Sequence, residues 1–399
     1  DPSGFVEYSY DDNGNVEMAT RTVNGVAFVT GYGYDDAGNL RSVAYPTGHT
    51  VQYRPDAADP ALVEGVTLDS AVLASGIAYA PFGPVTAMTL ANGIQVNQTY
   101  DLNYQIAAIG SSVLDRTYIP DNIGNISTIA DNLDATRSQS FGYDALSRLT
   151  NANGIYGTID YTYDRAGNRT GRSHGTENDT YHYVPATNRL QTITGSHAEQ
   201  FTHSDEGAIL TRTPGTAQIT YDYYTGTQRL KSVAEDPQPP DTDPAHYTYN
   251  SAGQRVQKTN SNPTIHHYDQ NGLLIAETTA DGTPIKSYIW LHGQPLAMID
   301  HQTSSCTGDI DHSGAVDGAD LAELAANFGT SCQGCTADID QDGQVKASDL
   351  ALLANQMGND QCATGSVYYY HNDHLGTPQK MTDSSGTVVW AADYLPFGQ

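Results

Sequence analysis

The 399-residue sequence predicts a mainly β protein of repeated hairpins, with one small all-α insert near its C-terminal end. Three observations point there. Paired aromatics on alternate positions recur at Phe141/Tyr143, Tyr161/Tyr163 and Tyr181/Tyr183, twenty residues apart, and a fixed period of this size marks a repeat architecture. Each pair runs into a short polar turn phrase. Between Ile299 and Val367 the apolar period switches from two to a helical one.

One repeat is legible in Tyr161 to Arg169. Tyr161 and Tyr163 share one face of an extended strand and Thr162 takes the other. Asp164 can bond the backbone two residues on, Gly167 can take positive φ, and Asn168 tolerates the left-handed region. The strand returning from Arg169-Thr170 makes the second arm of a hairpin. A lone hairpin is marginal in water, so each copy must pair with its neighbours.

The phrase recurs from the start, as Tyr10-Asp11-Asp12-Asn13-Gly14-Asn15 and Tyr34-Asp35-Asp36-Ala37-Gly38-Asn39. A more degenerate section follows, anchored by Tyr53, Tyr79, Tyr100 and Tyr118, before Tyr221, Tyr249 and Tyr268 resume the pattern. Glu235 to Pro244, rich in Pro and Asp, reads as an exposed loop. Tyrosine dominates the aromatics, 27 against 7 Phe and 2 Trp, which suits a half-wet sheet. A formal charge of -28 repels nucleic acid and anionic membrane and favours cations. No apolar run is long enough for a membrane-spanning helix. The opening Asp1-Pro2, without an initiator Met, suggests a segment of a longer or processed polypeptide.

The insert carries cation chemistry. Asp309, Asp311, Ser313, Ala315, Asp317 and Asp320 fall at loop positions 1, 3, 5, 7, 9 and 12, with Gly314 at position 6. Twenty-nine residues later Asp338, Asp340, Asp342, Gln344 and Asp349 repeat positions 1, 3, 5, 7 and 12, with Gly343 at position 6 and Lys346 at position 9. Side-chain oxygens at 1, 3, 5 and 12 and a backbone carbonyl at 7 are the ligand set of a Ca²⁺ loop of the EF-hand kind, so two calcium sites are expected. An amphipathic helix should follow each loop, with the stripes Leu321, Leu324, Ala325, Phe328 and Leu350, Leu353, Ala354, Met357 burying against each other.

All four cysteines bracket this region, at 306, 332, 335 and 362. The equivalence of the two halves argues for Cys306–Cys332 and Cys335–Cys362 bridges in an oxidising, extracellular setting, although three connectivities are open. A Cys₄ zinc site round Cys332 and Cys335 is the rival.

The turn phrases resemble the YD repeats of Rhs and teneurin-like proteins. Tyr370 to Gln399 resembles the Rhs repeat-associated core segment, at His374-Leu375-Gly376-Thr377-Pro378, Asp383, Gly386, Trp390 and Tyr394-Leu395-Pro396-Phe397-Gly398. The resemblance implies a β-sheet that spirals into a hollow shell, closed near the core segment, which in the toxin branch holds a C-terminal toxic domain. The insert is similar to a type I dockerin module, whose partner would be a cohesin. Gly318-Ala319 and Ala347-Ser348 stand where such a partner would read the surface, and only the second pair matches, by half. The expected division is residues 1–303 for the β-shell, 304–365 for the insert and 366–399 for the core segment. The insert's ends should lie close together.

Other signals were weighed against structural roles. His371 and His374 should pack or bond within the sheet, and His266-His267 should be half exposed. No GxSxG, HExxH, P-loop or GxGxxG motif stands in strand-to-helix context, so catalysis is not expected. Repetition assigns the Tyr-Asp pairs to turns, because a catalytic pair is needed once; carbohydrate binding on an aromatic face stays open. The reading is a non-catalytic, secreted or cell-surface structural protein that associates with itself or with other surface proteins, such as a fibre or sheath subunit. The alternatives are the shell of a larger Rhs-type toxin, and a cohesin- or carbohydrate-binding surface module.

Overall fold

A computed structural model describes residues 4–81, 83–237, 244–304, 307–311, 313, 315–332, 335–358 and 364–397. Most of the Glu235–Pro244 loop, Gly314, Cys306, Cys362 and Gly398 lie outside the described residues. Thirty-one strands form one antiparallel sheet. Each strand pairs with the next along the chain, from Phe5–Tyr10 with Val16–Val23 to Pro378–Thr382 with Val388–Ala391. The sheet is therefore an unbroken meander.

The turn phrase folds the same way in the copies that carry its aspartate, as at Asp11, Asp35, Asp121 and Asp164. Asp164 Oδ1 accepts from the amides of Ala166 at 2.8 Å and Asn168 at 2.9 Å, and Gly167 takes φ +91°. Asn168 does not enter the left-handed region. Its Nδ2 donates to Asp164 Oδ2 at 2.8 Å, and this bond, with the backbone amides, holds the Asp164 carboxyl below the usual range. Before each turn the register slips by one residue at the tyrosine, as at Tyr143, Tyr163 and Tyr183.

That bulge aims the tyrosine at its neighbour. Tyr163 donates its hydroxyl to the carbonyl of Leu149 at 2.7 Å, Tyr143 to Ile126 at 2.8 Å and Tyr183 to Arg169 at 2.8 Å. Tyr34, Tyr79, Tyr100, Tyr223, Tyr268 and Tyr394 do the same to Val16, Val63, Val85, Ile209, Arg255 and Pro378. In every case the acceptor is the first residue of a return strand. The hydroxyl thus ties one turn to the turn before it.

The meander also winds over itself. Phe28 meets His267, and Tyr45 donates to the Tyr288 carbonyl at 2.9 Å. Tyr53 donates to Trp290, Asn92 to Thr382, Arg137 pairs with Asp393, and Tyr161 meets Phe397. Both series advance together along the chain, as successive turns of a spiral do; a sheet folded back on itself would reverse one of them. Val, Ile and Leu fill the space between the layers, among them Val51, Val66, Leu90, Ile275, Ile289 and Ile299, all buried. Strands between residues 190 and 259 bury only Val256 among the described residues. There the wall is a single layer.

Histidines line the overlap. His371 Nε2 lies 2.9 Å from Thr382 Oγ1, which also accepts from Asn92 of the other layer. Ser287 Oγ sits between His301 Nε2 at 2.9 Å and Thr47 Oγ1 at 2.8 Å. His266 and His267, expected half exposed, are buried instead: His267 backs onto the layer holding Phe28, and His266, on the opposite face of the strand, lies beside Arg255. His374 packs its ring on Tyr118.

Two outcomes follow. Tyr163→Phe removes one turn-to-turn bond and should cost about 1 kcal/mol of stability, read as a lower urea midpoint with an unchanged m-value. Burial pushes the His267 imidazole down to about 3 and those of His266, His301 and His371 down to about 4. These folded values lie below the unfolded value near 6.5, so the stability tied to neutral imidazoles is complete above pH 6.5. It is lost as pH falls towards 4, and a urea midpoint that stays flat over that window would contradict the buried arrangement.

Candidate metal centre

The insert grows from a strand pair. Gln294–Ser304 and Thr364–Asn372 run antiparallel, with Ser304 opposite Thr364 and Asp300 opposite Ser366, so the chain leaves and re-enters the sheet at one place. Beyond them the insert has its own core of Ile310, Val316, Leu324, Ala337, Val345 and Leu353. Helix α1 spans Gly318–Asn327 and helix α2 spans Ala347–Ala354.

The two loops bring carboxylates together. Oxygens of Asp309, Asp311 and Asp320 lie within 4.8 Å of one another, as do those of Asp338, Asp340 and Asp342. Calcium takes six to eight oxygens at about 2.3–2.6 Å, so ligands on opposite sides of it stand about 5 Å apart. The hard oxygen donors and their spacing fit that ion.

Backbone amides pre-shape both loops. Asp309 Oδ1 accepts from the Ser313 amide at 2.9 Å, and Asp338 accepts from Asp342 at 3.1 Å and Gly343 at 2.8 Å. At position 12, Asp320 Oδ1 accepts from Ile310 at 2.6 Å and Asp311 at 3.1 Å, and Oδ2 from Asp317 at 2.8 Å. Asp349 accepts from Asp340 at 3.0 Å and Lys346 at 2.9 Å. Burial works against the Asp349 charge, but these amides outweigh it and hold the carboxyl below the usual range. Asp309, Asp320, Asp338 and Asp349 are all buried, and a buried carboxylate calls for a cation or a full set of donors.

Not every predicted ligand joins a cluster. Asp317 caps α1, accepting from the Ala319 amide at 2.7 Å. Ser313 Oγ donates to the Ala315 carbonyl at 3.3 Å, so positions 5 and 7 of the first loop bond each other. Asp349 stays outside the second cluster, and the Gln344 amide donates to Asp342 Oδ1 at 3.2 Å.

Two expectations are corrected. The helices do not bury their full stripes: only Leu324 and Leu353 are buried, while Leu321, Phe328, Leu350 and Met357 stand 38–49 % exposed. Residues at loop positions 2 and 8, notably Ile310, Val316 and Val345, fill the core in their place. Two short helices supply one inward residue each, and the loops complete the seal. The cysteines differ too. Cys332 is joined to Cys335, with Cα atoms 5.8 Å apart, so neither is left for Cys306 or Cys362. Close spacing along the chain prevails over the symmetry of the halves, and sulfurs bonded to each other are not the thiolates a zinc site needs.

Residues 367–399 match the RHS protein family and residues 307–358 match the Dockerin type I domain. No curated protein matches the chain. Among solved structures, all of the chain superposes on TcdB2-TccC3 without its hypervariable C-terminal region, with TM-score 0.60 and 14% identity over 20% of that chain. It superposes equally completely on the Photorhabdus luminescens Tc holotoxin pore carrying the TccC3-D651A mutation, with TM-score 0.56 and 14% identity over 20% of that chain. The chain thus spans about one fifth of these structures. The fold is thus similar to that of these structures, residues 367–399 carry a match to the RHS family, and a segment matching the Dockerin type I domain, which implies calcium binding, stands just before them.

Calcium should order the insert independently of the wall. Chelation with EDTA is expected to lower the melting temperature of a minor helical transition by several degrees and to leave the main β transition in place. A single transition that ignores EDTA would contradict this.

Proposed function

We propose that the chain is a non-catalytic section of the wall of a secreted Rhs-type shell, and that its insert is a calcium-set knob for docking a protein partner. The observation that carries the wall role is the winding: residues 267–397 overlie residues 28–161 in the same order. A spiral of this kind encloses space, and the likeness to TcdB2-TccC3 supports the same use. The knob role rests on the exposed Leu321, Phe328, Leu350 and Met357 beside two carboxylate loops. Apolar side chains left in water next to a folded core suit a protein contact, and a cohesin-like module is the partner a dockerin-type insert would take. The Cys332–Cys335 bridge suits an oxidising, extracellular site.

A fibre or sheath subunit is the second reading.

Electron microscopy of the native polypeptide separates the two: discrete particles with internal density support the shell, and continuous filaments overturn it. Capture of cohesin modules by the chain should require calcium and fail in EDTA. Capture that is indifferent to EDTA would overturn the docking role.

A further inference from the structure

The two loops of the insert share a pattern but differ at position 9. In the first loop Asp317 holds that place and caps α1. In the second it is Lys346, which stands at the N-cap of α2 and makes no side-chain capping bond. Its ammonium reaches back four residues and pairs with Oδ2 of Asp342. Asp342 belongs to the oxygen cluster with Asp338 and Asp340, so the ammonium is paired with one of the three carboxylates that would hold a divalent ion.

The surrounding bonds keep it there. The Asp342 amide donates to Asp338 at 3.1 Å and to Asp340 at 3.3 Å, which fixes the carboxylate beside its two partners. The Lys346 amide donates to Asp349 Oδ2 at 2.9 Å, so the same residue also anchors position 12. Residues 309–320 contain no lysine or arginine. Both loops carry four carboxylates, Asp309, Asp311, Asp317 and Asp320 against Asp338, Asp340, Asp342 and Asp349, but the ammonium leaves the second with less net negative charge. Charge count is one of the levers that set calcium affinity in such loops.

Resting on the calcium reading above, we infer that Lys346 is the resident cation of the second loop, so that calcium fills the first loop first and enters the second only by displacing the ammonium. The Asp342–Lys346 pair is itself weak, because both side chains are about two-fifths exposed, 39% and 44%. Repulsion between the ammonium and a divalent ion a few ångströms away adds to it, and together they lower affinity at the second loop by roughly tenfold. The insert then has two calcium thresholds. Between them the second half is held in shape by its own lysine.

Isothermal titration of the full chain with calcium chloride tests this. The wild type should bind in two steps, and Asp311→Asn should weaken the tighter one. Lys346→Asn should tighten the weaker step by about tenfold and leave the tighter one in place; Lys346→Arg should keep the steps apart. A lysine of merely structural use would lower the melting temperature and leave the weaker step where it was, which overturns the inference while the calcium reading stands. A single wild-type step serving both loops equally overturns it as well. Absence of calcium uptake at either loop removes the calcium reading and this inference with it. Because Lys346 is substantially exposed, its substitution is expected to leave the fold intact, as circular dichroism in EDTA would verify.

Discussion

Everything in this wall depends on one hydrogen bond made many times. The tyrosine before a turn gives its hydroxyl to the carbonyl just after the preceding turn, as Tyr163 does to Leu149 and Tyr183 does to Arg169. Hairpins alone are marginal, and strand pairing fixes neighbours without fixing how their turns align. The hydroxyl supplies that alignment while its ring covers the sheet. Phenylalanine would cover as much and align nothing, which accounts for a composition of 27 Tyr and 7 Phe.

Arginine adds a second link in the opposite direction. Arg148, Arg189 and Arg229, each at the end of a turn, donate to the carbonyls of Asp164, Ser204 and Asn250 at the start of the next one. Where asparagine holds that place, as at Asn168, its amide donates both to Asp164 of its own turn and to Asn188 Oδ1 of the next. The acidic surface is thus partly committed. Turn aspartates such as Asp144 and Asp164, bonded to Arg148 and Asn168, are held as carboxylates by their own loops.

The sequence made the local grammar readable because it is written within five or six residues: the paired aromatics, the Asp, the Gly at positive φ. The calcium loops were legible for the same reason. The overlap was not, since Tyr45 and Tyr288 or Asn92 and Thr382 lie far apart and no short pattern joins them. That is also why His267 looked half exposed: the layer that buries it is more than 200 residues away in the chain. The Cys332–Cys335 link lay in plain view, but symmetry between the halves suggested other partners. The exposed faces of α1 and α2 escaped the apolar pattern because that pattern records which residues are apolar and not what covers them.

The unbroken meander bears on how the protein is made. Since every strand pairs with the one before it, the wall can be laid down hairpin by hairpin in the order of synthesis, with little waiting for distant partners. The overlap is different. Its later layer begins near Ile265, so the earlier part of the wall stays uncovered until that stretch emerges. The overlap is then a late event, formed only after most of the wall is already paired.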